Sequence, residues 1–212
     1  TSYEINTLCF DGSGYAEIAD SNGVQFDDGF TFFCWFFPES RSGEIISKGD
    51  VSLSLRAGRL VLRMGNKQLI NPYEIYRGYW HSVGFTYGGA ENYIGCFGST
   101  TWKYTSLDTV FTLGDYTNSE PVIIGKGFRG RIDKIAWYES LDSLSMVGWL
   151  INDREAYSGL IGPGVATATA FYKCTNNLTD EISGTAGTLE GSAGWIPSSE
   201  PKNDIYYKDK VR

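Results

Sequence analysis

Apolar positions crowd most densely at residues 30–38, Phe-Thr-Phe-Phe-Cys-Trp-Phe-Phe-Pro. Side chains alternate across a strand, so Phe30, Phe32, Cys34 and Phe36 share one face and Phe33, Trp35 and Phe37 the other. Both faces are apolar, which predicts a central strand covered on both sides rather than a half-exposed one. Pro38 has no N–H to give a ladder and marks the exit.

The flanking pattern is a succession of short extended segments. Residues 5–10 and 15–18 read as strands around the tight turn Asp11-Gly-Ser-Gly14, and polar clusters at 20–23 and 27–29 lead into the central strand. A charged loop at 39–44 precedes Ile45-Ile-Ser-Lys-Gly-Asp50. Val51, Leu53 and Leu55 alternate with serines, and residues 60–64 complete a hairpin across Ala57-Gly58. Tyr73, Tyr76 and Tyr79 fall in a turn-rich segment. Residues 80–87 and 93–97 form a second hairpin, and 100–105, 122–124 and 131–138 extend the series. Met146, Trp149, Leu150, Asp153, Ala156 and Tyr157 give a mostly apolar i, i+3, i+4 stripe, with Ser143 as N-cap and Gly159 as stop. That predicts one short late helix. The chain could hinge at Gly162-Pro-Gly164; residues 166–174 and 188–195 are again strand-like, and 198–212 read as a tail. Many short strands with one helix predict an all-β, two-sheet antiparallel sandwich or jelly roll over residues 1–197, and no strand–helix alternation supports a parallel sheet.

Composition narrows the partners. The 212 residues are 15% aromatic and hold 26 Gly against 6 Pro, which suits Gly turns between strands and not disorder. A net charge of −7 argues against nucleic acid and anionic lipid, whose phosphates need clustered Lys and Arg. The one basic cluster, at 208–212, is too short to offset it. No apolar run is long enough for membrane insertion. Cys9, Cys34, Cys96 and Cys174 are scattered singly and His81 is the only histidine, which argues against zinc and for small buried hydrophobes. One pairing, Cys9 with Cys174, would follow if the first and last strands were neighbours. Asn177-Leu-Thr179 is a glycosylation sequon of a kind common by chance.

Several segments resemble laminin-G-like, concanavalin A-like lectin domains, in family order. Phe10-Asp-Gly-Ser-Gly-Tyr15 is similar to that family's "FDGSGDY", residues 30–38 to its "FTISAWVKP", and residues 45–50 to its "IISKGD". Trp80-His-Ser-Val-Gly-Phe-Thr-Tyr87 resembles "WHHVAVTYD", and Ile124-Gly125 through Phe128-Arg-Gly-Arg-Ile-Asp-Lys-Ile135, with Leu141, resembles "IGG…FxGxIDEVRIYNRALS". The match covers roughly residues 8–157. Residues 172–195 resemble a segment that opens the domain in many relatives but here follows the helix; they either complete this sandwich or begin another domain, and completion removes an exposed edge. The resemblance implies a concanavalin A-like jelly roll. Such domains mostly bind carbohydrate, protein or lipid, often with a structural Ca²⁺, while a minority cleave glycans; the site must decide among these.

Catalysis finds little support. His81 sits inside a strand motif where the family uses it for packing or a backbone contact, and glycan cleavage needs two carboxylates across a cleft, as in the E-x-D-x-x-E strand of glucanases with this fold. Ile132-Asp-Lys-Ile135 offers a lone acid. For Ca²⁺, which takes six to eight oxygens, Asp11 and Asp133 are the candidates, with Asp50, Asp27 and Asp28 as further donors; Asx turns are the competing reading. Sugars stack flat apolar faces on aromatic rings, which singles out Trp102 and Tyr104 on one strand face and Tyr73, Tyr76 and Tyr79 in the turn-rich stretch. Asn71, Asp115 and Asn118 are types that could take hydroxyls. The expectation is a non-catalytic domain binding a glycan or glycoprotein, in an extracellular, cell-surface or virion-associated setting. A structural or protein-contacting accessory domain is the alternative, and a glycoside hydrolase the third.

Overall fold

The aromatic stretch becomes β3 (Phe30–Pro38), and all nine of its residues are buried. The computed structural model describes residues 6–20, 24–26, 29–87, 93–97, 102–106, 116–139, 168–174 and 176–197, with 87, 93–97, 102–106, 139 and 168 described by backbone alone. The helix expected at 143–157, the hinge at 162–164, the tail, and Asp27, Asp28 and Asp115 lie outside those residues.

Two antiparallel sheets face each other across an apolar core, a jelly-roll sandwich. One sheet runs β10 (Trp102–Ser106), β9 (Tyr93–Phe97), β8 (His81–Tyr87), β3, β12 (Arg129–Glu139), β1 (Asn6–Asp11) and β15 (Gly194–Pro197). β13 (Ala168–Tyr172) shares with β1 the edge of β12 that β3 does not use. The other sheet runs β14 (Thr188–Glu190), β2 (Tyr15–Ile18), β11 (Val122–Ile124), β4 (Gly43–Lys48), β5 (Val51–Arg56), β6 (Arg59–Met64) and β7 (Lys67–Glu74). The C-terminal strands β13, β14 and β15 are thus hydrogen-bonded into both sheets.

The inner face of β3 carries the core. Phe30 and Phe32 contact Phe85 at ring-centroid distances of 5.5 and 5.3 Å, Phe32 meets Trp137 at 5.3 Å, and Trp137 meets Tyr172 at 6.2 Å. Burying one such ring stabilises by roughly 1.5–3 kcal/mol. On the far face Phe37 packs edge-on against Trp80 at 5.6 Å, and the Arg131 guanidinium sits 4.7 Å over the Phe37 ring.

A bulge in β12 explains an irregularity of its sequence. Ile132 pairs with Phe36 and Ala136 with Phe33, so β12 uses one residue more than β3 over this interval. The extra residue is Lys134, at φ 51°, and it lets both Ile132 and Ile135 reach the core although they are three apart.

Two elements differ from expectation. The turn-rich segment begins as strand β7, at the edge of its sheet. Pro72 and the polar residues of Lys-Gln-Leu-Ile-Asn-Pro-Tyr-Glu hide the apolar alternation, and an edge is where a strand proline is tolerated. The charged loop after Pro38 likewise gives way to β4 from Gly43 onward. No disulfide joins Cys9 to Cys174: Cys174 is in the core, whereas Cys9 alternates with the core residues Leu8 and Phe10 and faces away.

Candidate functional site

β7 and β10 are the last strands of their sheets, and they approach each other along the same side of the sandwich. This open edge gathers most of the aromatic candidates. Opposite β7, β6 has one residue between Arg59 and Val61 while β7 has three between Ile70 and Glu74, so residues 71–73 bulge from the ladder. Asn71 fixes the bulge: it is 1% exposed, and its Oδ1 accepts a hydrogen bond from the Tyr73 amide at 3.0 Å. Its Nδ2 has no acceptor among the described residues. Asn71 therefore lies beneath the surface that Tyr73 helps form, and supports it from below.

The chain beyond β7 is pinned at three points. The Ile75 amide donates to the Gly58 carbonyl at 2.7 Å and the Ile75 side chain is in the core. The Tyr76 carbonyl accepts from His81 Nε2 at 2.8 Å, and the Gly78 amide donates to the Pro38 carbonyl at 2.9 Å. His81 is buried against Phe36, so its ring serves as a post for this loop. While the backbone is held, the rings are presented. Tyr76 is 63% exposed, Tyr79 46% and Tyr73 37%, and Ile70 on β7 is 50% exposed. Among the described residues these are four of the five exposed large apolar side chains. A fixed backbone beneath exposed rings limits the ordering entropy that a stacked ligand would cost.

β10 brings the backbone of Trp102 and Tyr104 to the same edge, where Trp102 pairs with Phe97 and Tyr104 with Gly95. β10 stands two strand spacings from β8, about 10 Å from the Tyr79–Trp80 segment that enters it.

The remaining candidates lie elsewhere. Asn118 and Asp50 line a cleft of about 690 Å³ at the opposite end of the second sheet, with Tyr116 and Glu120. Asn118 is spent on its own loop: Nδ2 donates to the Tyr116 carbonyl at 2.9 Å and Oδ1 accepts from the Glu120 amide at 3.0 Å. Asp11 and Asp133 do not form one donor set. Asp11 pairs with Arg129 and Asp133 lies four residues further along β12, about 13 Å by strand rise. Asp11 Oδ1 accepts from the Ser13 amide and hydroxyl, both at 2.8 Å, and from the Ser192 hydroxyl. Those bonds, Ser192 foremost and then Ser13, lower its pKa to about 2. Asp133 is fully buried opposite Trp35. Among the described residues no group of three or more His, Cys, Asp or Glu is placed to hold a metal.

Sequence reasoning missed Ile70 and the bulge, while the packing and backbone contact expected of His81 are its contacts with Phe36 and the Tyr76 carbonyl. The signal for the bulge was the Asn-Pro step at 71–72, where an Asx side chain can cap its own turn.

No family model and no curated protein matches the sequence. Solved structures match it in fold. A candidate carbohydrate-binding protein from Bacteroides ovatus has a TM-score of 0.67 at 13% identity, over 93% of this chain and 61% of that one. The chain thus spans 61% of the length of the Bacteroides protein. The native heptameric SAP-like pentraxin of Limulus polyphemus gives 0.60 at 12% identity, covering 92% and 96%. Domain 4 of an extracellular arabinanase from Geobacillus stearothermophilus, in complex with arabinotriose, gives 0.50 at 16%, covering 68% and 75%.

Proposed function

We propose that this concanavalin A-like, laminin-G-type sandwich is a non-catalytic carbohydrate-recognition domain whose ligand lies along the β7–β10 edge. The observation that carries the reading is the group of exposed tyrosines, Tyr73, Tyr76 and Tyr79, on a backbone pinned to Gly58, His81 and Pro38. Rings held in this way suit the flat apolar faces of sugars. Trp102 and Tyr104 extend the same edge. Two of the structural neighbours support the class of ligand, one named as a carbohydrate-binding candidate and one holding an arabinose oligosaccharide. The arabinanase is named as extracellular, which supports an extracellular setting with a glycan or glycoprotein partner.

The only histidine argues on the same side. With its ring buried and Nε2 committed to a backbone carbonyl, His81 is not disposed to serve as a base toward a solvent-borne substrate.

The test is calorimetric titration with oligosaccharides chosen from a glycan array. Stacking on one ring is worth about 1–1.5 kcal/mol, so Tyr76→Ala and Tyr79→Ala are each expected to weaken binding about tenfold, with no reducing sugar released. Trp102→Ala tests the β10 side in the same way. Wild-type affinity in all three variants would remove the edge from consideration. A flat array together with stable self-association would favour a protein-contacting role.

A further inference from the structure

Beside the tyrosine edge, the outer face of the second sheet holds a groove of about 440 Å³ lined by Arg41, Arg56, Arg59, Val61, Ile70 and Glu74, among others. Its walls follow from strand alternation. Leu53 and Leu55 of β5 and Leu60 and Leu62 of β6 point into the core, so Arg56, Arg59 and Val61 point out. Val61 stands between Ser54 and Ile70 in one cross-strand row, and Arg59 stands between Arg56 and Glu74 in the next.

Arg56 and Arg59 are therefore direct cross-strand partners on one face. Like charges directly opposite each other in an antiparallel pair destabilise it. Neither guanidinium is paired with a carboxylate among the described residues. Glu74, the nearest acid in the row, is taken by Arg41 at 2.9 Å, and Arg41 also donates to the Ala57 carbonyl at 2.8 Å. Three arginines against one glutamate leave the groove positive in a chain whose net charge is −7. The floor beside them is apolar, with Val61 buried and Ile70 exposed.

We propose that this groove binds the charged unit of an acidic saccharide, one bearing a carboxylate or a sulfate, with the anion bridging Arg56 and Arg59 and the sugar face lying on Ile70. The proposal rests on the carbohydrate reading above and narrows it. Two guanidinium forks converging from paired strands match the oxygens of a carboxylate or sulfate, which neutral sugars lack. Ile70 and Glu74 of the groove wall flank the 71–73 bulge, so the groove and the tyrosine edge share β7 and a single oligosaccharide can span both.

The experiment compares matched probes: uronate-, sialate- and sulfate-bearing oligosaccharides, each beside its methyl ester or desulfated counterpart, with wild type, Arg56→Gln and Arg59→Gln. The expected result is binding at least tenfold stronger to the acidic member of a pair, weakened as salt is raised, and reduced tenfold or more by either substitution. Preference for carboxylates over sulfates, or the reverse, identifies which anion the groove takes. Both arginines are exposed and repel each other, so the melting temperature should hold or rise in the variants, and a fall would contradict the like-charge strain invoked here. If acidic and neutral members bind equally and only Tyr76→Ala weakens them, the groove proposal fails while the carbohydrate reading stands. If no saccharide binds, both fail.

Discussion

Asp180 ties the turn at 181–183 to β13, and its substitution can be worked through in energy. It is fully buried, and its two oxygens serve four donors. Oδ1 accepts from the amides of Phe171 at 2.9 Å and Ile182 at 3.1 Å. Oδ2 accepts from the amide and hydroxyl of Ser183 at 3.2 and 2.6 Å. The Phe171 amide belongs to β13 and sits in the interior, whereas Ile182 and Ser183 lie on an exposed turn that water can reach. In Asp180→Ala the Phe171 amide loses its carboxylate acceptor at about 1–3 kcal/mol, and the turn adds the smaller loss of charge-assisted bonds, for a total of about 3 kcal/mol. Asp180→Asn keeps the oxygen facing Phe171 but turns an NH₂ toward the Ser183 donors, and should cost about 1 kcal/mol. Urea unfolding followed by tryptophan fluorescence reads both. With a slope near 2–3 kcal/mol/M, the alanine variant should lose about 1 M in midpoint and the asparagine variant a third of that. Equal midpoints for the two variants, or shifts under about 0.2 M, would refute the assignment of the burial cost to the Phe171 amide.

Two other outcomes follow from the geometry. Gly130, at φ +144°, would bring an added Cβ to 2.1 Å from the Phe37 carbonyl, so Gly130→Ala should destabilise by about 2–4 kcal/mol in thermal or urea melts, and a near-neutral result would contradict the β3–β12 pairing there. Asp11 has its pKa lowered from 3.8 to about 2, so its stabilising contribution is complete above pH 4 and is lost as the pH falls toward 2; carbon-13 titration of the carboxyl should show this, and Ser192→Ala should raise the value. A wild-type value near 3.8 would mean that the Ser192 contact is absent.

The two-sheet architecture was legible because its strands advertise themselves. β3 is apolar on both faces, and the β5–β6 hairpin alternates cleanly about Ala57-Gly58, both at positive φ as a type I′ turn requires. β7 was not legible, because an edge strand with one buried side, a proline and a bulge has almost no period to detect. The tyrosines could be named from their setting among turn residues, but not the hydrogen bonds that hold their backbone, which come from Gly58, His81 and Pro38 far away in sequence. The opposed arginines were within reach: a two-residue turn at 57–58 makes residues 56 and 59 partners, and only the register had to be drawn.

The pairing of Asn6 with Pro197 has a consequence for how the domain is mounted. β1 begins and β15 ends on this side of the sheet, and six interstrand steps, about 29 Å, separate β15 from β10 at its other end. A tether, fusion partner or sensor-chip tag joined directly at residue 6 or residue 197 would hold the sandwich by one rim and leave the tyrosine rim facing outward. Attachment through the two ends should thus be interchangeable, and neither should crowd an incoming ligand.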